Sequence, residues 1–179
     1  MSLQIFILGV LNKAEHHPYD VKKMILDNTD NVVNITDGNL YYNFDVLLKK
    51  GHIEKAQVVQ TDNRPEKTTY RITDSGKKAL EDEIYTSFKN AKTVLSLYAS
   101  IAFIDLVDKS RLAFFVEEAM EKLHKRIDMV ESKLAAKKIP DGLTKKQLSY
   151  GRFIATHTLD TLHTELKAYE ALLDILRSE

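Results

Sequence analysis

The chain has no cysteine. That excludes a disulfide scaffold, a thiolate zinc site and a cysteine nucleophile. It has only three prolines and six glycines, so few points force the backbone to break. It has no charge excess, with 26 Lys+Arg against 26 Asp+Glu, which removes the simplest argument for a nucleic-acid partner, a strongly basic chain. No stretch approaches the ~20 apolar residues needed to span a bilayer. The apolar start, Met1 to Leu11, lacks a basic leader and a small-residue cleavage site. A cytoplasmic location and no membrane partner are therefore expected. Walker, G-x-S-x-G and G-x-G-x-x-G patterns are missing too. His16 and His17 are adjacent and cannot share a helical face. His157, Asp160 and His163 step too far around a helix to form a compact metal site. His52 directly follows a helix-ending glycine and reads as structural. No catalytic residue, metal or cofactor is expected, and the chain does not read as an enzyme.

What is present is 179 residues, 44% hydrophobic and 29% charged. That describes a globular chain with a sizeable core rather than a disordered one. The pattern changes near residue 80. Leu3, Ile7 and Leu11 share a face with Phe6 and Val10, predicting a first helix over 2–13. His17 precedes a proline and is pushed out of the helical region, while Pro18 suits the first turn of a second helix, 18–28. Asn28 to Asn31 is turn chemistry. Thr36 can cap a third helix over 37–50, which Gly51 ends. Two strands rich in Val, Thr, Ile and Tyr follow, 52–59 and 67–73, with 61–65 as the hairpin tip. Thr73 caps the next helix. Three helices and a hairpin in this order form a winged helix-turn-helix.

The rest of the chain is longer in period. Ile84, Phe88, Ala91, Leu95, Tyr98 and Ala102 step by four and three. So do Val116, Met120, Leu123, Ile127, Val130 and Leu134, and again the series from Ala155 to Leu176. Steps averaging 3.5 mark the seams of packed helices, here three long stretches, with Asp108 and Thr144 as caps of the second and third and Pro140-Asp141-Gly142 between them. The seams need partners, either one another or a second copy of the chain, and a C2 homodimer is expected. The fold class expected is mainly α with a small β-hairpin: a winged head over 1–80 and a long-helix dimerisation domain over 81–179.

Specific residues carry a resemblance. Ile7-Leu8-Gly9-Val10-Leu11 is followed by Pro18-Tyr19-Asp20, then Ile35-Thr36-Asp37-Gly38-Asn39-Leu40-Tyr41. After these come Gly51-His52-Ile53, Arg64-Pro65 and Tyr70-Arg71-Ile72-Thr73-Asp74-Ser75-Gly76. In this order the chain resembles the PadR family of bacterial transcriptional regulators over about residues 5–80. Tyr150-Gly151-Arg152-Phe153 is similar to an aromatic-Gly-x-aromatic pattern in the helical C-terminal domain of the longer subgroup. The chain departs from the family where Pro18 and Asn63 replace frequent glycines. It departs again at Thr36 to Tyr42, where the family often has Ser-Pro-Gly-Thr-Leu-Tyr-Pro. Asp37 adds a negative charge where a phosphate would approach.

The resemblance implies a repressor that binds an inverted-repeat operator in double-stranded DNA as a homodimer. A recognition helix offers its N-terminal residues to the major groove, here Thr36, Gly38, Asn39, Tyr41, Tyr42 and Asn43. Asn39 and Asn43 lie four apart, and asparagine can read the adenine edge. Lys22 and Lys23, with Lys49 and Lys50, are candidate phosphate contacts, though the latter two equally complement a helix C-terminus. Arg64 and Lys67 sit on the wing, where arginine suits a narrow minor groove. Longer-subgroup members respond to small molecules, some to phenolic acids. Tyr19, Tyr98, Tyr150, Arg152 and Phe153 are candidates for an aromatic-acid effector, against simple packing of each tyrosine. The alternative is a winged-helix protein-interaction module without DNA binding.

Residues 1–80 hold 11 basic and 10 acidic side chains, a net of +1, and residues 81–179 hold 15 and 16, a net of −1. DNA affinity must then come from local clusters. A titration across salt concentrations is expected to give a modest slope and weak non-specific binding; a steep slope typical of strongly basic proteins would contradict this.

Overall fold

A computed structural model describes residues 3–28, 35–59, 67–135 and 144–178. The chain divides into two compact units. One comprises Met1–Ser87 with Leu95–Val107, the other Phe88–Val94 with Asp108–Glu179. The expected hairpin tip, the turn after Asn28 and Pro140-Asp141-Gly142 lie outside the described residues.

The first unit is mainly helical with one two-stranded hairpin, a winged helix. Helix α1 (Leu3–Leu11) has one polar side chain, Gln4. Ile5, Phe6, Ile7, Leu8 and Leu11 are all buried, so the helix is covered on nearly every side. Helix α2 (Pro18–Asn28) begins on its proline, whose missing N–H costs nothing at that position. Helix α3 (Asp37–Lys49) buries Leu40, Phe44 and Leu47. It ends with Gly51 at φ 71°. The Gly51 N–H donates to the Leu48 carbonyl at 3.0 Å and the His52 N–H to Leu47 at 2.9 Å. This paired closure needs a left-handed residue, which glycine supplies without strain.

Strand β1 (Ile53–Val59) pairs antiparallel with β2 (Lys67–Ile72), with an irregularity between Lys55 and Gln57. His16, between α1 and α2, exchanges backbone hydrogen bonds with Tyr70 at 3.1 and 3.0 Å, tying the hairpin to the helices. Helix α4 (Asp74–Lys89) follows at once. The Thr73 hydroxyl accepts the Gly76 N–H at 3.1 Å and donates to the Gly51 carbonyl at 2.6 Å. One side chain thus caps α4 and fastens it to the end of α3. Gly76 is required here, because a Cβ would overlap the His52 carbonyl.

The continuous helix expected through Ala102 does not form. Helix α4 stops at Lys89, and a 3-10 turn (Val94–Leu97), the short α5 (Tyr98–Ile101) and a second 3-10 turn (Ile104–Leu106) follow. Asn90, Thr93 and Ser96 interrupt the apolar steps with short polar side chains that compete with the helical backbone. The Val94 N–H donates to the Glu165 carboxylate at 2.9 Å rather than to a helical carbonyl. Burial shifts accordingly. Leu97, Ala99 and Phe103 are buried, whereas the expected seam residues Leu95 and Tyr98 are exposed. The Phe103 ring lies against Gly9, where a Cβ would collide with it.

In the second unit, α6 (Lys109–Ala135) and α7 (Lys145–Arg177) form an antiparallel hairpin. Glu117 pairs with Arg177, while further along α6 Glu131 meets His163 at 3.9 Å. Asp108 accepts the Ser110 N–H at 2.9 Å. Thr144 and Gln147 close a reciprocal capping box. Val116 and Ile127 are buried, as are Leu162, Tyr169, Leu173 and Leu176, so these seams partner one another. Toward the opposite end, Leu134, Tyr150, Phe153 and Ile154 are exposed. No helix among the described residues is long and apolar enough to cross a membrane.

Tyr169 is 1% exposed, and its hydroxyl has no hydrogen-bond partner among the described residues. Burial, with Glu165 adding, pushes its pKa up from 10.0 to about 12. Below pH ~10 the phenol is neutral in both folded and unfolded chains. As pH rises toward 12, the unfolded chain ionises first, so stability falls over that window. Tyr169→Phe is expected to reduce this alkaline loss in denaturant melts. At pH 7 it should change stability by less than about 1 kcal/mol, since no bond is lost.

Candidate nucleic-acid interface

The start of α3 presents the sequence candidates to solvent. The Thr36 backbone is extended and its hydroxyl accepts the Asn39 N–H at 3.3 Å. Thr36, Gly38 and Asn39 are exposed, as are Tyr41 at 47% and Tyr42 at 66%. A Cβ at Gly38 would meet nothing within 4 Å, so this glycine leaves open space rather than relieving a contact. Asn43 is only half-buried and is engaged internally. Its amide donates to Asn39, and its oxygen accepts from Gln4.

Two cations near this surface already have partners. Lys22 on α2 meets Asp37 at 2.6 Å, which joins the second helix to the first turn of the third. Asp37 also sits where free N–H groups favour an anion. Arg71 on β2 meets Glu54 at 2.7 Å, and that carboxylate raises the guanidinium pKa further. Lys23 is exposed. Tyr70 packs edge-on against Phe44, with ring centroids 5.2 Å apart. Burial raises its pKa, with Asp45 and Tyr41 adding to the effect. Arg64 and the side chain of Lys67 lie outside the described residues.

The effector candidates fall in different units. Tyr19 and Tyr98 belong to the first and are exposed; Tyr150, Arg152 and Phe153 belong to the second and are exposed too. Phe153 stacks on His157, and Lys146 lies over the Tyr150 ring. A cavity that sequence reasoning missed lies in the first unit. It measures about 460 Å³, and its walls include Phe6, Val10, Met24 and Phe103, with Lys13 and His16 as polar groups. Periodicity assigned Phe6 and Val10 to the core, and nothing local indicated that residues 102–103 would fold back beside them.

A capped, exposed helix start beside a hairpin is the arrangement of winged helix-turn-helix regulators. Residues 7–82 match the family model described as the Transcriptional regulator PadR-like family. Over those residues, somewhat less than half of its length, the chain is similar to a family of transcriptional regulators. Among solved structures, smu.1604c from Streptococcus mutans is 26% identical, the match covering 99% of this chain and 98% of that one, with a TM-score of 0.44. Bacillus subtilis PadR in complex with operator DNA is 20% identical, covering 97% and 98%, at 0.43. A transcriptional regulator from Clostridium thermocellum is 28% identical, covering 45% of this chain and 77% of that one, at 0.42. None of the curated proteins matches.

Thr36→Ala removes the cap that starts α3. It is expected to cost about 1 kcal/mol of stability, seen as a lower urea midpoint with an unchanged slope.

Proposed function

We propose that the protein is a homodimeric transcriptional repressor that binds an inverted-repeat operator. Residues 1–80 act as the DNA-binding head and 81–179 as the dimerisation part. The observation that carries the reading is the row of exposed polar and aromatic side chains at the capped start of α3, Thr36 to Tyr42, within a domain of a regulator family. Tyr41 and Tyr42 offer hydroxyls to phosphates, and Lys23 adds a charge. Arg64 and Lys67 are assigned to the flanking groove or backbone. Lys22 contributes only if phosphate displaces Asp37. Two heads would read half-sites about 34 Å apart.

Self-association is supported by the second unit. Phe114 at 56%, Phe153 at 71%, Ile154 at 63% and Ile175 at 60% are exposed large apolar side chains, more than a lone helical hairpin needs to leave uncovered. A small molecule with an apolar body and an anionic head suits the cavity beside Lys13 and His16. It would act by favouring one of two dimer geometries. Tyr19, Tyr98, Tyr150, Arg152 and Phe153 remain candidates for effector contact in the assembled dimer. Such a regulator works where the DNA is, in the cytoplasm. The second reading, a winged-helix protein-interaction module, draws on Asp37 and the near-neutral head.

A mobility-shift assay with the DNA upstream of the protein's own gene tests this. Arg64→Ala and Tyr41→Ala should each weaken binding about tenfold, with the dimer intact by light scattering. Retained affinity in both would remove these residues from the interface. Failure to bind any fragment at low salt, with a protein partner recovered instead, would favour the second reading.

A further inference from the structure

Gln4, Asn43 and Asn39 form a chain of side-chain amides whose directions are set by one backbone group. The Asn43 Nδ2 donates to the backbone carbonyl of Asn39 at 2.8 Å. Only the NH2 side of an amide can do this, because a carbonyl accepts and never donates. The Asn43 Oδ1 must then face the other way, where it accepts the Gln4 Nε2 at 3.1 Å. The second hydrogen of the same Nδ2 reaches the Asn39 Oδ1 at 3.0 Å. With a donor opposite, Asn39 turns its oxygen inward and its own NH2 outward, on an exposed position in the first turn of α3. Turning any one amide over would set oxygen against oxygen or NH2 against NH2.

We infer that Asn39 is presented as a hydrogen-bond donor of fixed direction, with Asn43 as the positioning residue and Gln4 as its outer anchor. Resting on the DNA-binding reading above, this assigns the base facing Asn39. Guanine shows two acceptors, O6 and N7, to an outward NH2. Adenine shows one acceptor and one donor, and its two-bond recognition needs an outward oxygen beside the NH2. The position under Asn39 is therefore guanine in preference to adenine. The two asparagines are not a pair of equivalent adenine readers. Asn43 spends both donor hydrogens on Asn39 and does not reach the groove.

The test is selection from random DNA by the full-length chain, with the Asn39 position defined as the one whose preference disappears in Asn39→Ala. Wild type is expected to select guanine there about tenfold over adenine. Asn43→Ala frees the Asn39 amide to turn and should bring the two bases close to parity. Asn43→Asp places acceptors opposite Asn39, forces its NH2 inward and its oxygen outward, and should shift selection to adenine or cytosine, which present an NH2 in the major groove where guanine presents only acceptors. Adenine selected by the wild type, or guanine kept by Asn43→Asp, overturns the inference while DNA binding stands. A wild-type chain that selects no DNA overturns the DNA-binding reading and this one with it. Side-chain amide NMR gives a readout free of DNA: slow solvent exchange for Asn43 and fast exchange for Asn39 is the expected order, and the reverse contradicts it.

Discussion

The burial of α1 is the constraint on which the head depends. A nine-residue helix with a single polar side chain cannot sit on a surface, and it is marginal by itself in water. It survives by being covered. Phe103 closes over Gly9, and α2, α3, β2 and α5 all pack against it. Each covering element is thereby fixed relative to the others, including α3, whose outer face carries the candidate readers. The cavity beside Phe6 and Val10 lies along the same helix, so a ligand there would press on the element that sets the position of α3. The proposed effector, bound there, would reach α3 through packing alone.

The one polar residue of α1 is not wasted on solvent. Gln4 reaches Asn43 across 39 positions of sequence, so the buried helix also controls the direction of amides on the exposed one. A rigid apolar anchor and an oriented polar surface are thus the two ends of a single helix-to-helix contact. Fixed orientation matters here because the chain has little field to draw on. The head has nearly balanced charge, and Lys22 and Arg71 are each held by a carboxylate. Without strong attraction to phosphates, the proposed discrimination among DNA sequences would rest on geometry.

Much of the architecture was legible because its signals are local. Thr36, Pro18, Gly51, Thr73 and Thr144 act on backbone groups within a few residues, and their positions alone announce where helices start and stop. The residues from Asn90 to Leu106 were not legible. A step of four and three is satisfied by one long seam, and equally by a broken segment whose apolar residues face a different partner. Only tertiary packing of Leu97, Ala99 and Phe103 separates the two. The candidate site was legible as a stretch, since exposure at the start of α3 follows from the winged pattern. Its internal division was not. Spacing by four makes Asn39 and Asn43 look equivalent, and the residue that distinguishes them is on another helix.

Neutrality also has a thermodynamic side. An ion pair such as Lys22–Asp37, with the carboxylate mostly exposed, adds at most a fraction of a kcal/mol to stability. Its consequence is on competition. A phosphate that takes Lys22 must also leave Asp37 unpaired at a helix start, so part of the attraction is returned as the pair opens. That cost falls equally on specific and sequence-independent binding wherever both use Lys22, so it lowers each without changing their ratio. In the proposed DNA-binding role, a balanced head with an internally paired lysine would therefore bind more weakly overall and leave discrimination to the base contacts, which do not pass through the pair. The ratio of specific to non-specific affinity would then be set by the oriented side chains of α3 rather than by charge.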